Sequence, residues 1–400
     1  MSNLPKSCYY PSVFAQIHSN GTYSICCGSQ IPPGGDYEND GRFIEYWNSP
    51  KFKNLANGLK HNLKKYNSMW DNNCNFCPHS DFNNQAHDYL KEGKDSQISS
   101  YVEGLKSDNL HSGPVAVIFD IINLCDHKCN FCWWWSYDML ENSTHEDGFV
   151  TSKEDYKDWI KEKISFKVFK DTIDDLIEMG GPSEHHSGKY LGGCEEIVLS
   201  GSGEPFLHPR IMDMLGYIKK HGFYSITVTN FTNSISEERM DELISMKMDR
   251  IIINVSAGTQ DTYCRIRKVG IRVWEKLMYN LEYIRNKKEE LNSKFPEIII
   301  KNIVNKTNIH DIGKLIDLGI KMKVNQIYLK VIDWSGVYNG ENLDISNEQY
   351  DEFSPVLVDK LNQYNFKEND WYPGNYKFNY KSDEHNVNLS SDIKGLFNRL

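Results

Sequence analysis

Between residues 113 and 335 the chain alternates short apolar runs with longer amphipathic stretches, and this alternation restricts the fold more than any other feature. Strands are expected at 115–122, 195–200, 224–230, 249–256, 297–304 and 324–332. Helices are expected at 167–179, 209–221, 236–246, 272–286, 309–318 and 346–362. Nearly continuous β-branched runs such as "IIINV" and "EIIIKNIV" suit strands covered on both faces, which is the habit of parallel sheets. Parallel neighbours need a crossover, and the intervening helices supply it. About six β-α units predict an α/β fold, a partial (β/α)6 TIM-like barrel whose active site lies at the C-terminal strand ends.

The flanks differ in texture. Residues 1–80 predict a small, irregular, cysteine-rich α+β module: "AQIHSNGTYSICC" reads as two strands around an Asn-Gly turn. A helix follows, with Phe52, Leu55, Leu59 and Leu63 at helical spacing. Residues 81–112 are polar and read as a linker, 113–335 as the core, and 336–400 as a helix with a polar tail. A long insertion, 133–166, follows the first strand, where loops commonly shape a substrate pocket.

A net charge of -10 argues against nucleic-acid binding through bulk electrostatics. The N-terminus lacks a basic start followed by an apolar run, and "GPVAVIFDIINL" is too short to cross a bilayer. A cytoplasmic protein with no membrane partner is expected. Thiols stay reduced there, so the ten cysteines point to metal or cluster binding rather than to disulfides. Cys194 and Cys264 stand alone and read as small buried hydrophobes.

Three of the others form "CDHKCNFC": Cys125, Cys129 and Cys132, spaced C-x3-C-x2-C just after the first strand. A structural zinc site takes four protein ligands, whereas a catalytic zinc takes three and leaves a position open. A [4Fe–4S] cube usually takes four cysteines, so three leave one iron open. The motif resembles the signature of the radical S-adenosylmethionine enzymes, including the aromatic residue before the last cysteine, Phe131. The resemblance implies a [4Fe–4S] cluster whose open iron is chelated by S-adenosylmethionine. Reductive cleavage there gives methionine and a 5'-deoxyadenosyl radical that abstracts hydrogen from substrate. It also implies a flavodoxin- or ferredoxin-like electron donor.

"VLSGSGEPFLHP" follows the second strand and resembles the family's Gly-Gly-Glu-Pro motif for the S-adenosylmethionine amino group. The matching residues are Gly201, Gly203, Glu204 and Pro205, with Ser202 where glycine is commonest. Thr229 and Asn230 match the family's Thr-Asn pair after the third strand. Ser256, after the fourth, stands where the family places a polar contact to the ribose or carboxylate. Arg265 and Arg267 read as a solvated charge pair or as partners for a carboxylate. The Trp133–Trp135 run reads as apolar packing beside the cysteine loop, and His185, His186 and His208 as loop histidines. No general base is assigned.

Cys8, one of Cys26 and Cys27, Cys74 and Cys77 complete a second set of four. Their order around a hairpin and a "YWNSPKFKNL" helix resembles the SPASM or twitch auxiliary-cluster domains, here preceding the core instead of following it. The resemblance implies an auxiliary [4Fe–4S] cluster; a four-cysteine zinc knuckle fits the spacing as an alternative. The implied activity is oxidation or cross-linking of a peptide or small-molecule substrate. Methyl or sulfur transfer, and a non-catalytic zinc or iron–sulfur sensor, are the competing readings.

Overall fold

The computed structural model describes residues 7–26, 34–61, 79–96, 98–107, 113–132, 153–183, 193–332, 337–338, 341–364, 367–368, 376–381 and 386–391. The chain divides into two compact units. The first holds Met1–Leu124 and Lys157–Ile226; the second holds Cys125–Glu146, Val150–Tyr156 and Thr227–Leu400, and Asp147–Phe149 falls to the first.

In the first unit, β1 (Phe14–Ile17) and β2 (Thr22–Ser24) form the expected hairpin around Asn20-Gly21. β2 pairs with the short β3 (Gly35–Asp36). β1 also pairs in parallel with β4 (Ala116–Asp120), which pairs in parallel with β5 (Glu196–Ser200). The cysteine-rich N-terminal segment therefore contributes a strand to the parallel sheet, because Phe14, Ala15 and Ile17 are apolar enough to be buried there. Helix Phe166–Glu178 covers this sheet, with Phe169, Ile173 and Leu176 fully buried and the Phe169 ring 5.0 Å from that of Phe119. Its start is fixed by Ser165, whose hydroxyl accepts from Val168 N.

The stretch expected to be a linker is structured. Helix Ser80–Glu92, a short turn Ser99–Val102 and a 3-10 turn Glu103–Ser107 pack Ala86, Val102 and Leu105 against Tyr9. The polar composition misleads because few apolar side chains suffice when they share one face.

β6 (Tyr224–Thr229) carries the chain from the first unit into the second. There β7 (Arg250–Asn254), β8 (Glu297–Val304) and β9 (Gln326–Val331) pair in parallel, each followed by a helix. β8 is buried on both faces across Ile298–Ile300, as its composition predicts, whereas β7 alternates. The expected helices appear at Glu237–Ser245, Ile271–Glu290, Ile312–Lys321 and Asn347–Gln363. The helix Gln260–Arg267, after β7, was not expected. Nor was the hairpin Tyr376–Lys381/Asn386–Ser391, whose second strand pairs in parallel with β9. The parallel α/β pairing agrees with the partial barrel expected from the sequence. No helix among the described residues is long and apolar enough to cross a membrane.

Candidate cluster and cofactor site

The cysteine loop, the Gly201–Pro205 turn, Asn230 and Ser256 each come after the C-terminal end of a strand, where the backbone leaves the sheet. In the second unit the cysteine loop is held by three separate fastenings. Lys128 N donates to Arg267 O (3.2 Å) and Asn130 N donates to Ile266 O (2.9 Å), so the last turn of helix Gln260–Arg267 grips the loop backbone. The third fastening is Asn230, whose Nδ2 donates to Asp126 Oδ1 at 2.6 Å and lies 2.6 Å from His127 Nδ1. That His127 nitrogen is itself 2.9 Å from the same carboxylate oxygen. Cys132 N donates to Cys129 O (3.1 Å), which curls the loop so that its cysteines follow one another around a tight turn.

The amide of Asn230 is itself braced. Its Oδ1 accepts from Thr232 N (3.1 Å) and Thr232 Oγ1 (2.7 Å). Thr229 Oγ1 accepts from Phe231 N (2.9 Å), and Asn280 Nδ2 donates to the carbonyls of Phe231 and Thr232. Phe231 takes a positive φ of 57°, a costly backbone for an aromatic residue that these bonds stabilise. The Thr-Asn pair thus positions the cysteine loop.

Cys129 is buried, while Cys125 and Cys132 are half-buried. Ligand atoms of Cys125, Asp126 and His127 lie within 4.8 Å of one another. Burial works against the Asp126 carboxylate, but hydrogen bonds from His127 and Asn230 hold it below the usual carboxylate range. Burial pushes the His127 imidazole down, Asp126 opposing and Arg267 assisting. Burial, with the Cys132 and Cys125 sulfurs nearby, pushes the Tyr156 phenol up to about 12. Phe131 packs with Ile303, Ile332 and Leu343, which gives the loop an apolar flank.

Three buried polar atoms in or beside this loop have no partner: His127 Nε2, Tyr263 Oη and Arg267 Nε; Ser256 Oγ, after β7, is another such atom. Unmet buried donors and acceptors are costly, so their clustering marks a place built to receive something polar or charged. Three sulfurs with an apolar flank, and orphaned polar atoms around them, fit a three-cysteine [4Fe–4S] cluster and a polar ligand on its open iron. The Ser256 carbonyl accepts from Asn308 Nδ2 (2.9 Å).

The Gly201–Pro205 turn lies in the first unit. A Cβ on Gly203 would come within 2.3 Å of Leu124 O and 2.6 Å of Ile122 O, so backbone packing alone demands glycine there. Gly201, at φ 128°, would press a Cβ onto Asp120. Ser202 meets no such restriction, and tolerates its side chain where the commonest motif has glycine. Glu204 is buried; its N donates to Leu124 O (2.8 Å) and its Oε1 accepts from Phe206 N (3.1 Å), capping the 3-10 turn Pro205–Leu207. His208 is buried too, with Nε2 3.1 Å from Ile164 O and Nδ1 accepting from Arg210 N (3.1 Å). It is a structural histidine, not an exposed loop residue.

Arg267 is likewise no member of a solvated charge pair: it is buried, with Nη1 3.2 Å from Cys129 Sγ. The sequence conceals this because nothing nearby distinguishes it from Arg265; the signal is its spacing from Tyr263 and Ile266, which share its buried face. Cys194 is fully buried as expected, whereas Cys264 is only half-buried. Of the second cysteine set, Cys8 and Cys26 are half-buried in the first unit. Cys27, Cys74 and Cys77 lie outside the described residues, as do Trp133–Trp135, His185 and His186.

The described fold and loop have known counterparts. Residues 119–317 match the Radical SAM superfamily. The chain is 24% identical over 271 residues to the S-adenosyl-L-methionine-dependent tRNA 4-demethylwyosine synthase of Pyrococcus abyssi, covering 65% of this chain and 72% of that protein. It is 28% identical over 119 residues to the tungsten-containing aldehyde ferredoxin oxidoreductase cofactor-modifying protein of Pyrococcus furiosus, spanning 33% of its length. Streptococcus suis SuiB bound to its precursor peptide SuiA superposes with a TM-score of 0.49 at 13% identity, covering 97% of this chain and 73% of that one. Residues 119–317 form a radical SAM superfamily domain.

Proposed function

We propose that this chain binds S-adenosylmethionine at a [4Fe–4S] cluster held by Cys125, Cys129 and Cys132, and oxidises or cross-links a peptide or small-molecule substrate. The observation that carries the reading is the cysteine loop, fastened by Asn230 and helix 260–267 and surrounded by orphaned buried polar atoms. When bound, the cluster and S-adenosylmethionine supply a carbon radical able to take hydrogen from an unactivated position. The protein's own residues bind and orient. Glu204 offers a carboxylate for an ammonium, and Ser256 Oγ a hydroxyl for a ribose or carboxylate oxygen. Gly201, Ser202, Gly203 and Pro205 shape the turn that presents Glu204, and Phe131 keeps water from the loop's apolar side. Thr229 and Asn230, whose family counterparts contact the cofactor, also brace the cysteine loop.

An auxiliary cluster on Cys8, Cys26 or Cys27, Cys74 and Cys77 would accept the electron that a net oxidation releases. A flavodoxin- or ferredoxin-like protein would deliver the starting electron, in the cytoplasm. The Pyrococcus abyssi relative is named for a tRNA substrate, but a net charge of -10 sets this chain against a polyanionic one.

The test is iron per chain after anaerobic purification, with Cys125→Ala/Cys129→Ala/Cys132→Ala beside the wild type, followed by product analysis with S-adenosylmethionine and dithionite. About eight irons falling to about four supports both clusters, and about four falling to none leaves the N-terminal set to zinc. Release of 5'-deoxyadenosine supports hydrogen abstraction, whereas S-adenosylhomocysteine would favour methyl transfer. No cleavage by an iron-loaded protein would leave a sensor.

A further inference from the structure

Arg267 ends helix Gln260–Arg267 and is 5% exposed. Its Nη1 donates to Cys129 Sγ at 3.2 Å, and its Nη2 donates to Asn254 O. The guanidinium carbon lies 5.7 Å from the centre of the Phe131 ring and 5.7 Å from that of Tyr263. Nε has no partner, and no carboxylate among the described residues forms an ion pair with this side chain. A guanidinium stays charged under all ordinary conditions, and burying one without a counter-charge costs several kcal/mol. Such a residue persists where something negative stands beside it. The neighbour here is a sulfur proposed as a cluster ligand.

We infer that Arg267 is the counter-charge of the cluster and a positioning residue for Cys129, and that it makes the cluster easier to reduce. This rests on the radical SAM reading of the cysteine loop. Reduction potentials of iron–sulfur sites follow net charge, hydrogen bonds to the sulfurs and solvent exposure. Arg267 acts through the first two: it adds a positive charge and donates to the sulfur. In the reduction one electron arrives from an external one-electron donor, no bond forms or breaks, and no proton moves. The added negative charge is what the guanidinium stabilises. Water would screen this effect, but burial of Arg267 and Cys129 largely preserves it. The same side chain also links two loops, since it holds Asn254 O at the end of β7 while touching Cys129.

The experiment is an anaerobic redox titration of the holoprotein, followed by electron paramagnetic resonance of the signal that S-adenosylmethionine perturbs. Wild type is compared with Arg267→Met, Arg267→Gln and Arg267→Lys, each at measured iron content and with its fold checked by circular dichroism. The two neutral variants are expected to reduce at a more negative potential, with about tenfold less reduced cluster at fixed potential, or ~59 mV for a one-electron couple. Arg267→Lys, which offers a cation but cannot hold Cys129 and Asn254 together, is expected to fall between wild type and the neutral variants. Should Arg267→Met not fold, Arg267→Gln, which keeps a donor amide, carries the same expectation. A wild-type potential in a folded, iron-loaded neutral variant overturns the inference. So does loss of iron or of fold in both neutral variants, which would make Arg267 a structural clasp. Absence of triad-dependent iron in the wild type would instead remove the radical SAM reading itself.

Discussion

Single residues decide whether the cysteine loop keeps its shape. Asn230→Ala removes the amide that spans Asp126 and His127 and takes a partner from the buried His127 and Thr232, which costs about 1–3 kcal/mol. Thermal denaturation should show the loss, and iron per chain should fall with it. Gly203→Ala places a Cβ against two backbone carbonyls that have little freedom to retreat, so a destabilisation above ~2 kcal/mol is expected. Ser202→Ala should leave the melting temperature unchanged. The cysteines, the Gly-Ser-Gly-Glu-Pro turn and Asn230 were legible because motif spacing names residues directly. The tasks of Asn230, Asn280 and Arg267 were not, since a clasp is defined by its partner and those partners lie many residues away in sequence.

At the scale of elements, periodicity identified nearly every central strand and helix, because apolar faces of 3.6 or continuous β-branched runs have few other uses. It missed Gln260–Arg267, whose buried face is built from Thr262, Tyr263, Ile266 and Arg267 and is polar by composition. It missed the helices of 80–102 for a related reason. Helix Phe43–Asn48 packs on helix Phe166–Glu178 through Arg42, paired with the buried Asp175, which also accepts from Ile44 N. Burial outweighs Ile44 N and Arg42 and pushes the Asp175 carboxyl up to about 6 from 3.8. The folded state therefore holds this proton more tightly than the unfolded chain. Its contribution to stability is greatest below the unfolded value and declines as pH rises through about 6. Melting temperatures between pH 4.5 and 7.5 should show this slope as a difference between wild type and Asp175→Asn, which lacks the proton.

On the scale of the whole molecule, the C-terminal segment is more than a tail. Asn386–Ser391 pairs with β9 and so occupies backbone groups that would otherwise lie bare. A chain ending at residue 364 should expose that strand and self-associate, measurable as a concentration-dependent rise in mass by light scattering. The polar sequence there hid the pairing, because strand pairing is made by backbone groups that every residue carries. The N-terminal cysteine segment was similarly read as separate, although β1 shares a sheet with β4.

The fastenings at Lys128, Asn130 and Asn230 use the chain's own amides and carbonyls. Small zinc domains, by contrast, collapse when stripped of their metal, since binding supplies their folding energy. Because these bonds need no metal, a loop emptied of the proposed cluster is expected to keep its backbone, which circular dichroism of chelator-treated protein would check. A centre of the proposed kind, once dismantled by oxygen, would then be open to repair by refilling instead of replacement.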